Sequence, residues 1–430
     1  MPVQLSKTAR KQLDEVLDAY PKAGKPGTVV GIVNKEGEMV YLRSAGAKNA
    51  VTGEKLDDDT IFWIASCTKM ITGIAAMQLV ERGLISLDEP VSKFVPELAE
   101  IQVITESTPT TLETRKANTP ITLRMLLTHT SGWGYSWYNH HILNWVKQND
   151  NEVNGHGFWV ELNNKTNEVG FVFLQFSGKQ LEMPLVNEPG TKWEYGINMD
   201  WAGITVERVS GQKLGDYFIE NIFKPLGIDD SYFDFKERPD LLKRLSPMHK
   251  WDAETDTYSI RDFPHLLVDT PNHRGGGGLH TTAKSYLTVV SVLLNKGKGP
   301  NGAQILKPET VEYMFKDHCE NIQDKGGLGT HAVVKSTDSS RANTDLEMLA
   351  GIKKGWGLSF LLNTEDIPNG RKAFSAEWGG VANLFWMADP TSEVGMIVFN
   401  EVLPYGYPEF FQMEEQLQHI VYSDGGLVKV

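Results

Sequence analysis

The strongest constraint on this fold is the order in which its periodicities run. Strand-like segments stand near both ends of the 430-residue chain, and helical spacing fills the middle. Thr28–Asn34 and Glu38–Ala45 flank Lys35-Glu36-Gly37, the pattern of a β-hairpin. Leu358–Asn363, Asn383–Ala388 and Val394–Asn400 have strand length and composition. Between these groups, Met70, Ile71, Ile74, Met77 and Val80 mark one face of a helix over Met70–Arg82, with Gly83 placed to cap it. Another helix opens at Pro120–Arg124, and others are expected over Trp201–Val209, Leu214–Phe223, Ala283–Asn295 and Pro308–Lys316. Ser6–Tyr20 and Phe410–Tyr422 are amphipathic segments outside the strands. Strands at both ends pack most simply into one antiparallel sheet, covered by the terminal helices. The expectation is an α+β protein. Residues 1–65 and 330–430 form a discontinuous sheet lobe, residues 66–329 an inserted, mainly helical lobe, and the active site lies at their interface.

Charge and cysteine usage narrow the function. Lys and Arg total 42 against 55 Asp and Glu, a formal charge of −13, and no basic block occurs. That balance argues against nucleic acid and anionic membrane surfaces as partners. Cys67 and Cys319 are the two cysteines, too few for a disulfide framework or a zinc ribbon. No apolar run approaches the ~18 residues of a transmembrane span, and the first residues lack a signal-peptide core, so a soluble cytoplasmic protein is expected. Two polar segments, Gln148–Lys165 and Lys316–Asn343, read as loops that border a cleft or cover surface.

The sharpest local feature is Ser66-Cys67-Thr68-Lys69, just ahead of the helix at Met70. Residues three apart share a helical face, so Lys69 can direct its amine toward Ser66 Oγ. A serine at a helix N-terminus also has main-chain N–H groups beside its reacting atom. A lysine among apolar neighbours can serve as a base. A second S-x-x-K, Ser210-Gly211-Gln212-Lys213, sits in a polar turn and reads as a chance match. G-x-S-x-G, H-E-x-x-H, P-loop and EF-hand motifs are absent, and Gly275–Gly278 lacks the spacing of a dinucleotide loop.

With Ser66–Lys69, the segments Leu126-Leu127-Thr128-His129-Thr130-Ser131-Gly132, Asn187-Glu188-Pro189-Gly190, Tyr195-Gly196-Ile197-Asn198, Phe223-Lys224-Pro225-Leu226-Gly227, Gly275–Thr282 and Trp378-Gly379-Gly380 form an ordered set. The set resembles the serine β-lactamase and penicillin-binding-protein superfamily, nearest to family VIII carboxylesterases and fungal lovastatin-acyltransferase-like enzymes. That resemblance implies a β-lactamase/transpeptidase-like fold and covalent acyl-enzyme chemistry without cofactor or metal. Ser66 would be the nucleophile, and Lys69 and Tyr195 would carry its proton to the leaving group. The N–H of Ser66, with that of Gly380 or Val381, would form the oxyanion hole. Trp378, Gly379, Asn198, Trp133, Tyr135 and Trp137 are the substrate-binding candidates; the aromatics following the Thr-His-Thr-Ser-Gly turn read as core, lid or pocket wall. Asn198 stands at the third position after the tyrosine, where many relatives have the amide at the second. It meets substrate or holds backbone.

Trp378 replaces the lysine that suits a substrate carboxylate. This favours neutral esters or thioesters over penicillins. The expected activity is ester hydrolysis, with acyl transfer to a secondary-metabolite hydroxyl as the alternative; β-lactam hydrolysis and an inactive binding scaffold rank below both. The expected partner is a small-molecule ester or thioester, and nothing in the sequence assigns an oligomeric state. His129 reads as a scaffold histidine, His140 and His141 as solvated loop residues, and Cys67 as a small buried residue. Glu377 reads as a surface charge or a repellent for anionic substrates.

Overall fold

The computed structural model describes residues 1–20, 25–148, 183–261, 273–322 and 349–430, with residues 328, 333, 334, 336, 346 and 347. The first helix, α1, is Lys7–Ala19, and Ser6 caps it by accepting the Ala9 N–H at 3.1 Å. Strands β1 (Thr28–Asn34) and β2 (Met39–Ala45) follow as the expected hairpin. The helices that matter next are α2 (Thr68–Glu81), α3 (Leu123–Leu127), α4 (Asn198–Ser210) and α5 (Ala283–Leu294). The chain then adds β3 (Lys354–Trp356), β4 (Leu361–Asn363), β5 (Ala376–Gly380), β6 (Leu384–Asp389), β7 (Val394–Phe399) and α6 (Pro408–Tyr422), after which Leu427–Lys429 pairs back with Val3–Leu5.

The chain ends do meet in one sheet. Its seven strands run β3-β4-β5-β6-β7-β1-β2, every pairing antiparallel. The join is β7 on β1, where Val398 faces Val30 and Ile397 faces Gly31. Side chains alternate across the sheet. Val30, Ile32, Met387, Met396 and Val398 pack with α1 and α6. Val29, Val33, Trp386, Ile397 and Phe399 join the larger core on the other face. With both faces buried, these strands read as unbroken apolar runs.

α5 lies directly on the second face. A Cβ on Gly31 would overlap Leu287 Cδ1, and one on Gly395 would stand 2.5 Å from Val290 Cγ1. The absence of side chains at these two positions lets helix and sheet backbones approach. The sequence places α5 in the helical segment, whereas in the fold it is a sheet-covering layer.

The middle of the chain is less purely helical than its spacing suggests. Gln102–Ser107 pairs with Leu112–Lys116, and Met248–Asp252 with Thr257–Arg261. The segment His280–Thr282 pairs with Ile61–Trp63, tying the middle to the strand before Ser66. α2 also differs from a one-faced helix, since every residue from Thr68 to Leu79 is buried. It ends as expected at Gly83 (φ +68°): the N–H groups of Gly83 and Leu84 return to the carbonyls of Val80 and Leu79. Of the expected loops, Gln148–Lys165 beyond Gln148 and most of Lys316–Asn343 lie outside the described residues.

Candidate active site

Ser66 sits in a tight 3₁₀ turn, Ala65–Cys67, at the N-terminus of α2. Ala65 holds φ at +43°, in the left-handed region that costs a non-glycine residue energy. The turn is braced on several sides. Thr68 Oγ1 donates to the Ala65 carbonyl at 2.7 Å, Tyr286 OH of α5 donates to the Cys67 carbonyl at 3.0 Å, and the Ile64 N–H reaches Leu279 O at 3.0 Å. One helical turn on, Lys69 is 1% exposed and places Nζ 2.9 Å from Ser66 Oγ.

The same nitrogen donates to the Gly276 carbonyl at 2.6 Å. Thr72, next along that face of α2, donates to the Gly275 carbonyl at 2.7 Å, and the Gly276 N–H donates to Asp200 Oδ1 of α4 at 3.1 Å. The glycine run is therefore a bare backbone rail between α2 and α4. A Cβ on Gly276 would lie 2.5 Å from Asp200 Oδ2. Sequence reasoning gave Gly276 no role, and the only signal for it was the run of glycines itself.

Tyr195 completes the group from the other side. Its hydroxyl is 2.8 Å from Ser66 Oγ, its ring centroid is 5.0 Å from Lys69 Nζ, and Trp378 Nε1 donates to its oxygen at 3.3 Å. Trp378 reaches this point because β5 ends against the serine turn. A Cβ on Gly380 would stand 2.9 Å from the Ile64 carbonyl and 3.3 Å from Ala65 Cβ. Gly379, Gly380 and Val381 line the cleft beside Ser66.

Asn198 takes the scaffold alternative, not the substrate-binding one. It is fully buried, donates to His129 Nδ1 at 2.9 Å and to the Trp133 carbonyl at 3.3 Å, and accepts from Ser131 Oγ. It fastens the Thr128–Trp133 turn to the tyrosine segment, because an amide can donate and accept at once. Since the amide nitrogen only donates, His129 Nδ1 is the acceptor and the imidazole is neutral. Burial, and then the nearby Lys69 side chain, hold its pKa well below the usual histidine range.

Trp133 also leaves the list of substrate-binding candidates. Its ring stacks on Trp201 at 5.3 Å, fully buried, and its Nε1 donates to the Met183 carbonyl. Tyr135 and Trp137 do line the cleft, stacked on each other at 4.4 Å. Tyr138, in the same aromatic cluster after the turn, lines the cleft as well, and Trp63, Arg274 and Tyr405 add walls that were not legible in the sequence. Arg274 stands 3.4 Å from the Asp200 carboxylate.

Glu377 is neither a surface charge nor a repellent for anions. It is a buried residue of β5, paired with the Arg371 guanidinium. Cys67 is buried, and burial pushes its thiol pKa up, away from nucleophilic use. His140 and His141 open a helix that runs to Gln148. Ser210 and Lys213 flank the Gly211 cap of α4, with Ser210 Oγ taking the Gln212 N–H. Among the described residues no cluster of histidine, cysteine and carboxylate side chains has metal-binding geometry.

The chain is similar to known proteins over nearly its whole length. A family model described as Beta-lactamase matches residues 13–404. Lovastatin esterase of Penicillium rubens is 32% identical, covering 95% of this chain and 98% of its own. Monacolin J acid methylbutanoyltransferase of Aspergillus terreus is 30% identical, covering 94% of each chain. The solved structure of unliganded, selenomethionyl simvastatin synthase from Aspergillus terreus superposes with a TM-score of 0.77 at 27% identity, covering 96% of this chain and 98% of the other. EstCE1, a hydrolase with promiscuous acyltransferase activity, shares the fold with a TM-score of 0.73 at 21% identity, covering 97% and 99%. The chain belongs to the beta-lactamase family, as an enzyme of its serine hydrolase and acyltransferase branch.

Proposed function

We propose that this chain hydrolyses carboxylic esters through a covalent acyl-enzyme on Ser66. The observation that carries the reading is the convergence of Ser66 Oγ, Lys69 Nζ and Tyr195 OH within 2.9 Å contacts at one aromatic cleft. Ser66 Oγ bonds to the carbonyl carbon while its proton passes to the Lys69–Tyr195 pair. The carbonyl oxygen gains negative charge and meets the N–H groups of Ser66 and of Gly380 or Val381. The C–O bond then breaks, and the alcohol leaves with a proton from the pair. Water adds to the acyl-enzyme by the reverse route and frees the acid. Tyr135, Trp137, Trp378 and Gly379 contact the substrate, a small neutral ester or thioester with apolar groups for the aromatic walls. The cleft is read as the seam between a sheet lobe, 1–65 with 330–430, and a helical lobe, 66–329, from which α5 is moved to the sheet side.

Acyl transfer is the second reading. The likeness to a methylbutanoyltransferase supports it, as does a cleft with seven aromatic residues among the described residues of its walls, which favour an organic acceptor over water. No described helix is long and apolar enough to cross a membrane. A cytoplasmic location is part of the same proposal, and two free, buried thiols suit a reducing compartment.

A fluorophosphonate or a p-nitrophenyl ester should leave one adduct, on Ser66, by mass spectrometry. An adduct elsewhere, or full activity in Ser66→Ala, overturns the reading. An ester chain-length panel with and without alcohol acceptors then divides hydrolysis from transfer.

A further inference from the structure

Trp378 has more to do than line the cleft. Its side chain is almost fully buried on β5, held edge-on by Trp356 at 4.9 Å and by Tyr195 at 5.0 Å. Its Nε1 donates to Tyr195 OH at 3.3 Å, while that hydroxyl lies 2.8 Å from Ser66 Oγ. An indole nitrogen can donate but cannot accept. The tyrosine oxygen must therefore accept from Trp378, and its own hydrogen is donated to Ser66 Oγ. Resting on the esterase reading above, we propose that Trp378 is a member of the proton relay: its N–H aims the Tyr195 hydroxyl and holds the Tyr195 oxygen while the proton is in transit.

The chemistry balances without any further reactant. As the Ser66 Oγ–carbon bond forms, the serine proton passes to Lys69 Nζ, which enters the reaction as the free amine. As the carbon–oxygen bond to the leaving group breaks, Tyr195 gives one proton to the departing oxygen. At that moment the tyrosine oxygen carries negative charge, and a fixed donor in a water-poor wall strengthens against charge. The same N–H is weaker against the neutral phenol, so it acts more on the transition state than on the bound ester. The indole thus supplies, without net charge, a donor at the position where a lysine was expected from the resemblance.

The test separates donation from packing. Trp378→Phe keeps an aromatic ring and removes the N–H; Trp378→Lys loses the ring and retains a donor. On a neutral alkyl ester, whose alcohol must leave protonated, kcat should fall about 10- to 100-fold in Trp378→Phe with KM within about twofold. Trp378→Lys should recover most of that loss. In a Tyr195→Phe background, assayed on an activated aryl ester, Trp378→Phe should cost almost nothing more. A packing role predicts the reverse order, with phenylalanine better tolerated than lysine. That order, or a loss confined to KM, overturns the proposal. Circular dichroism melts of each variant identify any that fail to fold, and the double variant then carries the decision. Absence of a Ser66 adduct in the unmodified chain refutes the esterase reading itself and is distinguishable from failure of the Trp378 role.

Discussion

Asn198→Ala tests the reassignment of this residue from substrate to scaffold. The substitution removes a side chain that faces no solvent and serves Ser131 Oγ, His129 Nδ1 and the Trp133 carbonyl together. Ser131 and His129 are themselves fully buried, so neither can turn to water. Leaving a buried polar group without its partner costs about 1–3 kcal/mol. Two such groups, with a small cavity, give a loss of about 4 kcal/mol. At ~2.1 cal/mol/K of unfolding entropy per residue, a chain of this length has about 0.9 kcal/mol/K, so the melting temperature should fall by about 4 °C. Thermal unfolding followed by circular dichroism reads this directly. Per folded molecule, KM on a neutral ester should stay within about twofold, because the amide does not reach the cleft. An unchanged melting temperature with a KM raised tenfold would refute the reasoning and return Asn198 to the substrate.

Three other perturbations follow from the packing and the charges. Gly31→Ala forces a methyl group into Leu287 of α5 and should destabilise by about 1–3 kcal/mol in denaturant unfolding, with kcat/KM per folded molecule retained. Glu414, on α6, is pushed up to about 8 by burial and then by Glu377, against the Arg371 guanidinium. Because the native chain holds that proton more tightly than the unfolded one, Glu414 costs stability progressively as pH rises from about 4.5 to 8, with a slope of about 1.4 kcal/mol per pH unit; Glu414→Gln should flatten this part of the melting-temperature profile, and an unchanged profile would refute it. Cys67 and Cys319 should resist iodoacetamide at pH 8 in the folded chain and react fully after denaturation, since burial pushes both thiols up; rapid labelling of native Cys67 would contradict its position behind the serine turn.

The elements legible in the sequence were those with enough local signal to declare themselves. β1 and β7 are strings of apolar, often β-branched residues, β6 is apolar up to Asp389, β2 opens on an apolar run, and α1 and α6 carry one apolar face each. β5 carries no such signal. It reads Ala-Glu-Trp-Gly-Gly, and pairing with β4 and β6, with Trp378 opposite Trp386, makes it a strand. β3, Lys-Gly-Trp, is an equally mute edge. α2 misled in the other direction: its apolar residues suggested one buried face, but the helix is enclosed on all sides, a property of its neighbours that its own spacing does not encode.

The site divides along the same physical line. Ser66 and Lys69 were legible because their relation is local, one turn of helix. Tyr195 was legible only through the ordered resemblance, since nothing near residue 195 says that its hydroxyl will stand 2.8 Å from a serine 129 positions earlier. Asn198 and Trp133 each kept two readings in the sequence, for a related reason. A residue type that can bind substrate can equally bind backbone, and the choice depends on which way the segment faces after folding. Glycines are what decide that facing here. Gly276 lets a main-chain carbonyl reach Lys69, Gly380 lets β5 press against Ala65, and Gly196 lets the tyrosine segment lie on the Trp133 carbonyl, where a Cβ would overlap it. Each of these contacts joins segments far apart in the chain, and each would be lost to one methyl group. The nucleophile and its base can therefore be read from a short motif, while the accuracy of their placement rests on three positions where the sequence shows only the absence of a side chain.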